Sequence, residues 1–459
     1  MTAQDRAQND ERTPPLLPGG SLAARAASWL TSRAPDVYLV GGYIRDWLLG
    51  RESRDVDFAV PQDSLSLGRG LADHLRGHFV PLDRRRGIVR VVCYEGPETI
   101  YVDLTLLQGR TLAEDLMRRD FTINAIAHRM GGEKACLIDP HGGREDIARR
   151  LIRAVAPSAF ADDPLRLLRA VRLAAELEFV IEPQTEALLR QYASLIALSA
   201  MERIRYELVK VLRAPRAPHW TRFLVDTGLL APIAPQLEHY ISAAMETFER
   251  AHRLITALKG GKSGLLRLQA LALAPFREDL LEHLSQPTNE ERCREDILRI
   301  TALLCPLSPD KVKGALGELR FSGYEARCAE KITAHCGELY HLRGGEISRS
   351  ITYRFFRETG DAGIESLLLA LARESEAPKR ERLAKGAAQL LAAYFHRYEE
   401  LIDPLLLLDG HTVMGELDLE PGPKVGELLA ALREAQAVGQ VQTREEALAF
   451  VRRLLVERC

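Results

Sequence analysis

The sequence predicts an α+β protein in which a head with a mixed sheet precedes a long all-helical region. The first observation is a strand at residues 37–40, Gly41-Gly42, a short helix at residues 44–49 and a second strand at residues 55–60. The second is that leucines and alanines recur at helical spacing almost everywhere after Ala156. Three further strands are predicted between these regions, near residues 79–82, 88–93 and 99–106. With 459 residues the chain is too long for a single core, so several domains are expected.

Composition narrows the class of protein. A hydrophobic content of 46% and a charged content of 27% are ordinary for a globular protein, and the net charge of −2 provides no overall attraction to nucleic acid. The seven cysteines form no C-x-x-C pair, which disfavours a metal ribbon or a disulfide framework and favours a reducing cytoplasm. No apolar run approaches the roughly 20 residues of a membrane helix. Residues 1–30, which begin with a polar stretch rich in proline and glycine, are expected to be a disordered lead-in.

Two acids on the second strand suggest a metal site. Asp55 and Asp57 are two residues apart, so both carboxylates point to one face of the strand. Two neighbouring negative charges repel each other, and a divalent cation removes this conflict. Mg²⁺ prefers a few carboxylates together with phosphate oxygens. A lone D-x-D is more often a solvated strand end, so the pair alone is weak evidence.

The glycine pair strengthens this interpretation. Gly41 and Gly42 allow close approach of the backbone, and the start of the following helix offers N–H groups to an anion. A glycine pair by itself is usually a turn. Together with Asp55 and Asp57, and with Arg45 on the intervening helix, it favours chemistry on a nucleotide.

The stretch VGGYIRDWLLGRESRDVDFAV resembles the first motif of the class II nucleotidyltransferases related to DNA polymerase beta, a branch that holds tRNA CCA-adding enzymes and bacterial poly(A) polymerases. Four later stretches resemble the other motifs of this branch in order: EDLMRRDFTINAIA, DPHGG, SAFADDPLRLLRAVRLAAELEF and MERIRYEL. The resemblance implies a polymerase-beta-like head followed by an all-α neck, body and tail. We expect these domains at residues 31–156, 157–230, 231–400 and 401–459, with the tail binding tRNA.

The resemblance also implies roles for residues in the head. Asp103 interrupts an apolar strand and would alone be a solvent-facing acid, but it matches the third carboxylate of the family's two-metal site. Asp55, Asp57 and Asp103 are therefore expected to hold two Mg²⁺ ions and to be catalytic. Nucleotide-binding residues in the head are expected to be Gly41, Gly42, Arg45 and Arg119.

The fourth motif implies a protein template for the incoming base. Asp163 and Arg166 are expected to select the base through hydrogen bonds, and Arg169 and Arg172 to contact the triphosphate or support these residues. Asp162 departs from the family's pattern, which has glutamate at this position. In the tail, the PGPKVG stretch suits an RNA phosphate, and Gly422 and Lys424 are the expected contacts; a plain helix–turn–helix is the alternative there.

The function implied is addition of nucleotides from CTP and ATP to the 3′ end of tRNA, without a membrane or a protein partner. The link at residues 107–111 is shorter than in full CCA-adding relatives, and a short link goes with enzymes that add two cytidines and stop. Three activities remain open: CC addition, full CCA addition and poly(A) synthesis. An RNA-binding protein with a degraded site is the non-enzymatic alternative. The GGKS stretch at residues 260–263 lacks a required glycine and is rejected as a phosphate loop.

Overall fold

The computed structural model describes residues 16–96, 98–131, 137–260, 272–341 and 346–457. Its contacts divide the chain into two compact units. The first runs to Ala200 and includes Asp226–Leu229, and the second comprises Met201–Val225 and the chain from Leu230 onward. The finer division into head, neck, body and tail stays a prediction. Residues 1–15 of the predicted lead-in and residues 261–263 of the rejected GGKS stretch lie outside the described residues.

The first unit is built on a mixed sheet, which confirms the predicted fold class. Within the described residues the sheet has seven strands in the order β3-β4-β5-β2-β1-β6-β7. The strands are β1 (Tyr38–Val40), β2 (Asp55–Val60), β3 (His78–Asp83), β4 (Ile88–Glu95), β5 (Glu98–Leu106), β6 (Ala127–Arg129) and β7 (Leu137–Ile138). Strand β2 pairs with β1 in the antiparallel and with β5 in the parallel direction. Its inward residues Val56 and Phe58 are buried, as expected for a central strand with an apolar face.

Helices flank this sheet and continue beyond it. Their bounds are α1 (Leu22–Thr31), α2 (Gly42–Leu48), α3 (Ser64–Leu75), α4 (Leu112–Met117), α5 (Gly143–Arg149), α6 (Ala159–Asp162), α7 (Arg166–Leu177) and α8 (Pro183–Tyr192), with 3₁₀ turns at Thr122–Asn124 and Ala193–Leu198. Helix α3 contacts β3, β4 and β5. Gly143 at the start of α5 packs against the backbone of Thr122, since a Cβ at position 143 would lie 2.1 Å from the carbonyl oxygen of Thr122.

The prediction of a disordered lead-in over residues 1–30 was wrong for Leu22–Thr31, which form α1. Leu22, Ala26 and Leu30 recur every four residues and are buried on one face of the helix. The Ser21 side chain caps the helix by accepting a hydrogen bond from the backbone N–H of Ala24. Helix α1 contacts α3 and β5, so it belongs to the core of the first unit.

The expectation of helix throughout the chain after Ala156 was wrong at one point. Val180–Ile181 form a short strand, β9, which pairs in parallel with β8 at Leu151–Ile152. A strand of two residues shows no periodicity, and its pairing partner is nearly thirty residues away, so the sequence carries no local signal for it.

The described chain from Met201 onward is helical. The helices are α9 (Met201–Arg213), α10 (Ala217–Asp226), α11 (Leu230–Ile233), α12 (Ile241–Lys259), α13 (Arg277–Ser285), α14 (Arg294–Leu304), α15 (Pro309–Glu318), α16 (Gly323–His335), α17 (Arg349–Thr359), α18 (Gly363–Arg373), α19 (Ala377–His396), α20 (Tyr398–Leu401), α21 (Gly410–Leu417), α22 (Pro423–Ala437) and α23 (Arg444–Glu457). 3₁₀ turns lie at Pro235–Tyr240, Ala274–Phe276, Glu338–His341 and Gly360–Ala362. Among the described residues, no helix combines the length and apolarity required to cross a membrane.

The second unit contains buried charges as well as an apolar core. Glu365 is fully buried, and its Oε1 accepts a hydrogen bond from Arg294 Nη1 at 2.9 Å. The Nε2 atom of His283 lies 3.1 Å from the same oxygen. Such a cluster is tolerated in a core only when the charges are paired, so these side chains fix how α13, α14 and α18 meet.

Candidate active site

The predicted acids lie on two neighbouring strands of the sheet. Asp57 on β2 is the direct partner of Asp103 on β5 in the parallel register, and Asp55 is the partner of Tyr101. Asp57 and Asp103 are partly buried, whereas Asp55 at the start of its strand is exposed. Since alternate residues of a strand share a face, the register brings the three acids to one face of the sheet.

The crowding of these acids has an electrostatic consequence. Burial and then the Asp103 carboxylate raise the pKa of Asp57 to about 6, against an ordinary value of 3.8. Asp55 adds to the rise, and the guanidinium of Arg119 opposes it. Burial makes the largest contribution to this rise, and the contributions of Asp103 and Asp55 show that neighbouring negative charges add to it.

Gly41 passes directly beside the acids. Its φ of +78° is in the left-handed region that glycine tolerates, and a Cβ at this position would lie 3.0 Å from Asp57 Oδ2. The same Cβ would lie 3.3 Å from Arg119 Nη1. The first residue of the glycine pair therefore keeps the backbone close to both the acid and the arginine, whereas a Cβ on Gly42 would meet only Arg45, at 3.4 Å.

Arg45 on α2 is held within the protein. Its Nε and Nη2 atoms donate to the two oxygens of Asp46, each at 2.9 Å, and Nη1 donates to Asn124 Oδ1 at 2.8 Å. The guanidinium thus ties the helix after the glycines to the Thr122–Asn124 turn. A contact between Arg45 and a triphosphate stays a prediction.

Asp120 links the second motif to the fourth. Its Oδ2 accepts from Arg169 Nε at 2.6 Å, and its Oδ1 accepts from Asn124 Nδ2 at 3.0 Å. Burial alone would raise the pKa of Asp120, but Arg169, Asn124 and the backbone N–H of Phe121 outweigh it and lower the pKa to about 2. Asp120 is therefore ionised and holds the side chains of Arg169 and Asn124 in place. In the sequence it appeared only as one member of a cluster of charged residues.

The predicted base-selecting residues lie at the start of α7. Arg166 Nη2 donates to the carbonyl oxygen of Arg118 at 2.7 Å, and Nη1 donates to the carbonyl oxygen of Ala159 at 3.2 Å. Asp163 Oδ1 accepts from the backbone N–H of Leu165 at 3.2 Å. The contact with Arg118 anchors Arg166 beside the second motif, whereas the contact of Asp163 is local.

Arg172 is buried and donates to Glu176 at 2.5 Å, one turn further along α7. Of the two roles expected for it, triphosphate contact or support, this contact favours support.

Arg90 is a residue of the site that sequence reasoning missed. It lies on β4 opposite Asp103, and its Nε and Nη2 atoms donate to the two oxygens of that carboxylate, each at 2.8 Å. The available signal was an arginine alternating with buried Val89 and Val91, which places it on the polar face of β4. Its pairing with Asp103 depends on the register between β4 and β5, which the sequence does not show.

The short link after β5 is fastened to the helix that follows it. The backbone N–H of Gln108 donates to Asp115 Oδ1 at 2.9 Å, and that of Arg110 donates to Glu114 Oε2 at 2.9 Å. The backbone N–H of Leu107 donates to the carbonyl oxygen of Val60 at 2.9 Å. The link is thus a closed turn between β5 and α4.

The two tail residues expected to contact RNA are described within the second unit. Gly422 precedes α22 and Lys424 lies in its first turn, and both are exposed. Val425 next to them is buried in the core that α21, α22 and α23 share. The exposed stretch is therefore carried on a packed helix.

The chain matches known protein families over part of its length and named relatives over most of it. Residues 37–153 match the family model described as "Poly A polymerase head domain", and residues 178–241 match "Probable RNA and SrmB- binding site of polymerase A". The chain is 32% identical to a CC-adding tRNA nucleotidyltransferase of Synechocystis sp., over 92% of this chain and 94% of the relative. It is 34% identical to an A-adding tRNA nucleotidyltransferase of Deinococcus radiodurans, over 91% of this chain and 95% of the relative.

The chain belongs to the tRNA nucleotidyltransferase family. It also resembles a solved structure, the Bacillus stearothermophilus CCA-adding enzyme in complex with CTP, with a TM-score of 0.66 and 26% identity over 96% of this chain and all of that one. The suspected family and the enzyme class predicted from the motifs are thereby confirmed. For a tRNA nucleotidyltransferase, membership also implies the use of a divalent metal ion.

Proposed function

We propose that this tRNA nucleotidyltransferase adds two cytidylates from CTP to the 3′ end of tRNA and then stops. The observation that carries the transfer chemistry of this proposal is the register of β2 with β5, which makes Asp57 and Asp103 direct neighbours near Asp55. The rise in the pKa of Asp57 supports a divalent ion as the missing counter-charge. Carboxylate oxygens are the ligands that Mg²⁺ prefers, so this donor set fits two Mg²⁺ ions.

In the proposed reaction the 3′-hydroxyl oxygen of the RNA attacks the α-phosphorus of CTP. A new O–P bond forms, the bond between the α-phosphorus and the bridging oxygen breaks, and pyrophosphate leaves. Asp55, Asp57 and Asp103 would hold the two ions, which when bound lower the pKa of the hydroxyl and neutralise the leaving phosphates. Gly41 lets the triphosphate approach the backbone, and Arg119 supplies positive charge beside it.

Base selection is proposed for Asp163 and Arg166. A carboxylate and a guanidinium offer an acceptor and donors that match a base edge. The anchoring of Arg166 to the carbonyl of Arg118 supports this role, because Arg119 is the next residue and lies against Gly41. Arg169 and Arg172 would act mainly as supports, through Asp120 and Glu176.

The RNA contact is proposed for the helical part of the chain. Gly422 and Lys424 at the start of α22 are exposed and suit a backbone phosphate of tRNA. Five cysteines of the described residues are free thiols, which fits a protein that acts in the cytoplasm.

Two observations favour CC addition over full CCA addition. The link over residues 107–111 is short and hydrogen-bonded to α4, so it leaves little chain for a mobile element that assists a switch to ATP. The Synechocystis relative, which the chain matches over nearly its whole length, is named as a CC-adding enzyme.

One experiment tests the proposal directly. Purified protein is incubated with tRNA transcripts that lack the last one, two or three nucleotides, and with labelled CTP or ATP. CC addition predicts incorporation of CMP into the transcripts lacking two or three nucleotides, and no AMP on the transcript ending in CC. Incorporation of AMP on every CC-ending product would overturn CC addition. A long A-tract on unrelated RNA would indicate poly(A) synthesis. No incorporation with any substrate would indicate a binding protein.

Addition of the terminal adenosine alone is the second candidate, because the Deinococcus relative is named as an A-adding enzyme. It predicts the reverse pattern in the same assay. AMP would then be incorporated only on the transcript that ends in CC, and CTP would give no product.

A further inference from the structure

Arg90 donates hydrogen bonds to both carboxylate oxygens of Asp103, one of the three acids. Its guanidinium meets the Asp103 carboxylate in a two-pronged geometry, with both N–O distances at 2.8 Å. The side chains of Arg90 and Asp103 are 33% and 15% exposed, so the pair lies at the edge of the buried part of the sheet. The Arg90 Cζ atom also lies 4.7 Å from the centre of the Tyr101 ring, which holds the guanidinium from one side.

This arrangement competes with an ion ligated by Asp103. Each carboxylate oxygen has two lone pairs and the guanidinium uses one on each, so a divalent ion must either share an oxygen with Arg90 or displace one of its N–H donors. We propose that Arg90 is a positioning residue that holds Asp103 in the ion-free enzyme and gives up one of its oxygens when a divalent ion binds. The proposal rests on the proposed function, because Asp103 is a metal ligand only there.

The charges around the site support an exchange between Arg90 and the ion. Asp55, Asp57 and Asp103 together carry three negative charges, and Arg90 is the cation hydrogen-bonded to Asp103 in the described structure. Arg119 faces Asp57 from the second motif, and Arg169 contributes more weakly. Without an ion, the positive charge of Arg90 therefore offsets the repulsion between Asp103 and Asp57. When a divalent ion is bound, the positive charge of Arg90 repels the ion.

A variant that lacks the positive charge of Arg90 should bind a divalent ion more tightly and should be less stable when no ion is bound. Arg90→Met keeps much of the side-chain length but removes the competitor, so Mn²⁺ should bind about tenfold more tightly, as expected for the loss of one positive charge several ångströms from a divalent ion. The same variant should be less stable without an ion, because the three carboxylates then repel one another. Mn²⁺ should remove most of this difference in Tm.

A pair with only a structural role would behave differently. Its loss would lower Tm by the same amount with and without Mn²⁺ and would leave the affinity for Mn²⁺ unchanged. Arg90→Lys separates charge from geometry, because lysine keeps the charge but not the two-pronged contact. The Arg90→Lys variant should have nearly the same affinity for Mn²⁺ as the unmodified enzyme. Its kcat should be lower and its KM for CTP unchanged.

The test uses the full chain and Mn²⁺ as the probe, with bound and free ion distinguished by electron paramagnetic resonance and Tm measured by calorimetry. Arg129→Met is the matched control, since Arg129 pairs with Asp36 away from the three acids. Tighter Mn²⁺ binding by Arg90→Met, with Arg129→Met unchanged, supports the proposal. Equal or weaker binding by Arg90→Met overturns it while leaving the proposed function intact. An unmodified enzyme that binds no Mn²⁺ overturns both.

Discussion

The Oδ2 atom of Asp57 lies 3.0 Å from the position that a Cβ on Gly41 would occupy. An alanine at this position must adopt a φ near +78° and also displace either Asp57 or Arg119. We expect Gly41→Ala to lower kcat at least a hundredfold and to cost about 1–3 kcal/mol of stability, because φ +78° with ψ −145° is a backbone conformation that few residues other than glycine adopt. Single-turnover kinetics and thermal unfolding measure the two effects.

Gly50→Ala is the matched control for this substitution. Gly50 has a similar φ of +67°, but nothing lies within 4 Å of its Cβ position. Gly50→Ala should lose stability through its positive φ and keep its activity. Equal losses of activity in the two variants would mean that backbone strain, rather than the closeness of Gly41 to Asp57, determines the effect.

A second prediction concerns the three acids. Asp55→Asn and Asp103→Asn each remove one negative charge from the expected ion ligands while keeping the shape of the side chain. Transfer of CMP should fall at least a thousandfold, whereas the Kd for tRNA should change less than threefold. Filter binding and a transfer assay report these separately, and loss of both together would identify a structural residue instead.

The raised pKa of Asp57 predicts an unusual pH dependence of stability. A carboxyl group whose pKa is about 6 in the folded protein and near 3.8 otherwise binds its proton more tightly when folded. In EDTA the free energy of unfolding should therefore rise as pH falls from about 6 to about 4, by on the order of 2 kcal/mol relative to Asp57→Asn, which lacks this proton. Chemical unfolding at a series of pH values measures the difference.

If Asp57 binds an ion as proposed, the effect should vanish when excess Mg²⁺ is present, because the ion then replaces the proton on the carboxylate. A difference between the enzyme and Asp57→Asn that does not change across this pH range would show that neither burial nor the neighbouring acids raise the pKa of Asp57.

The buried charges of the second unit give a further prediction. Arg294→Met leaves the buried Glu365 without its guanidinium, and breaking such a pair costs about 3–5 kcal/mol. Arg357→Met breaks an exposed pair with Glu434 and should cost less than about 1 kcal/mol. Calorimetric Tm values distinguish the two. Adding Glu365→Leu to Arg294→Met should recover part of the loss, and a double variant no more stable than the single one would contradict this account.

The sequence predicted well those features that depend on local pattern. Strand β2 begins and ends at the predicted residues, because Val56 and Phe58 alternate with Asp55 and Asp57 and show which face is buried. Helix α1 was missed because its apolar stripe is largely alanine and follows a segment rich in proline and glycine. A weakly apolar stripe gives little contrast with a disordered chain.

The features missed in the site depend on which residues face each other once strands and helices have packed. Arg90 meets Asp103 through the register of two antiparallel strands, and Asp120 meets Arg169 across 49 positions of sequence. Neither pairing has a signal in residue type or spacing. A charged residue alternating with buried valines reveals a polar face, but not which acid lies opposite.

The parallel pairing of β2 with β5 also constrains how the protein is made. Between Asp57 and Asp103 the chain must form α3 and the antiparallel strands β3 and β4 before it can return alongside β2. Because the entropy of closing this connection is lost before the contacts between β2 and β5 form, we expect this pairing to form late in folding. A ribosome-bound fragment that ends before β5 would carry the glycine pair and two of the acids, yet would have no functioning centre.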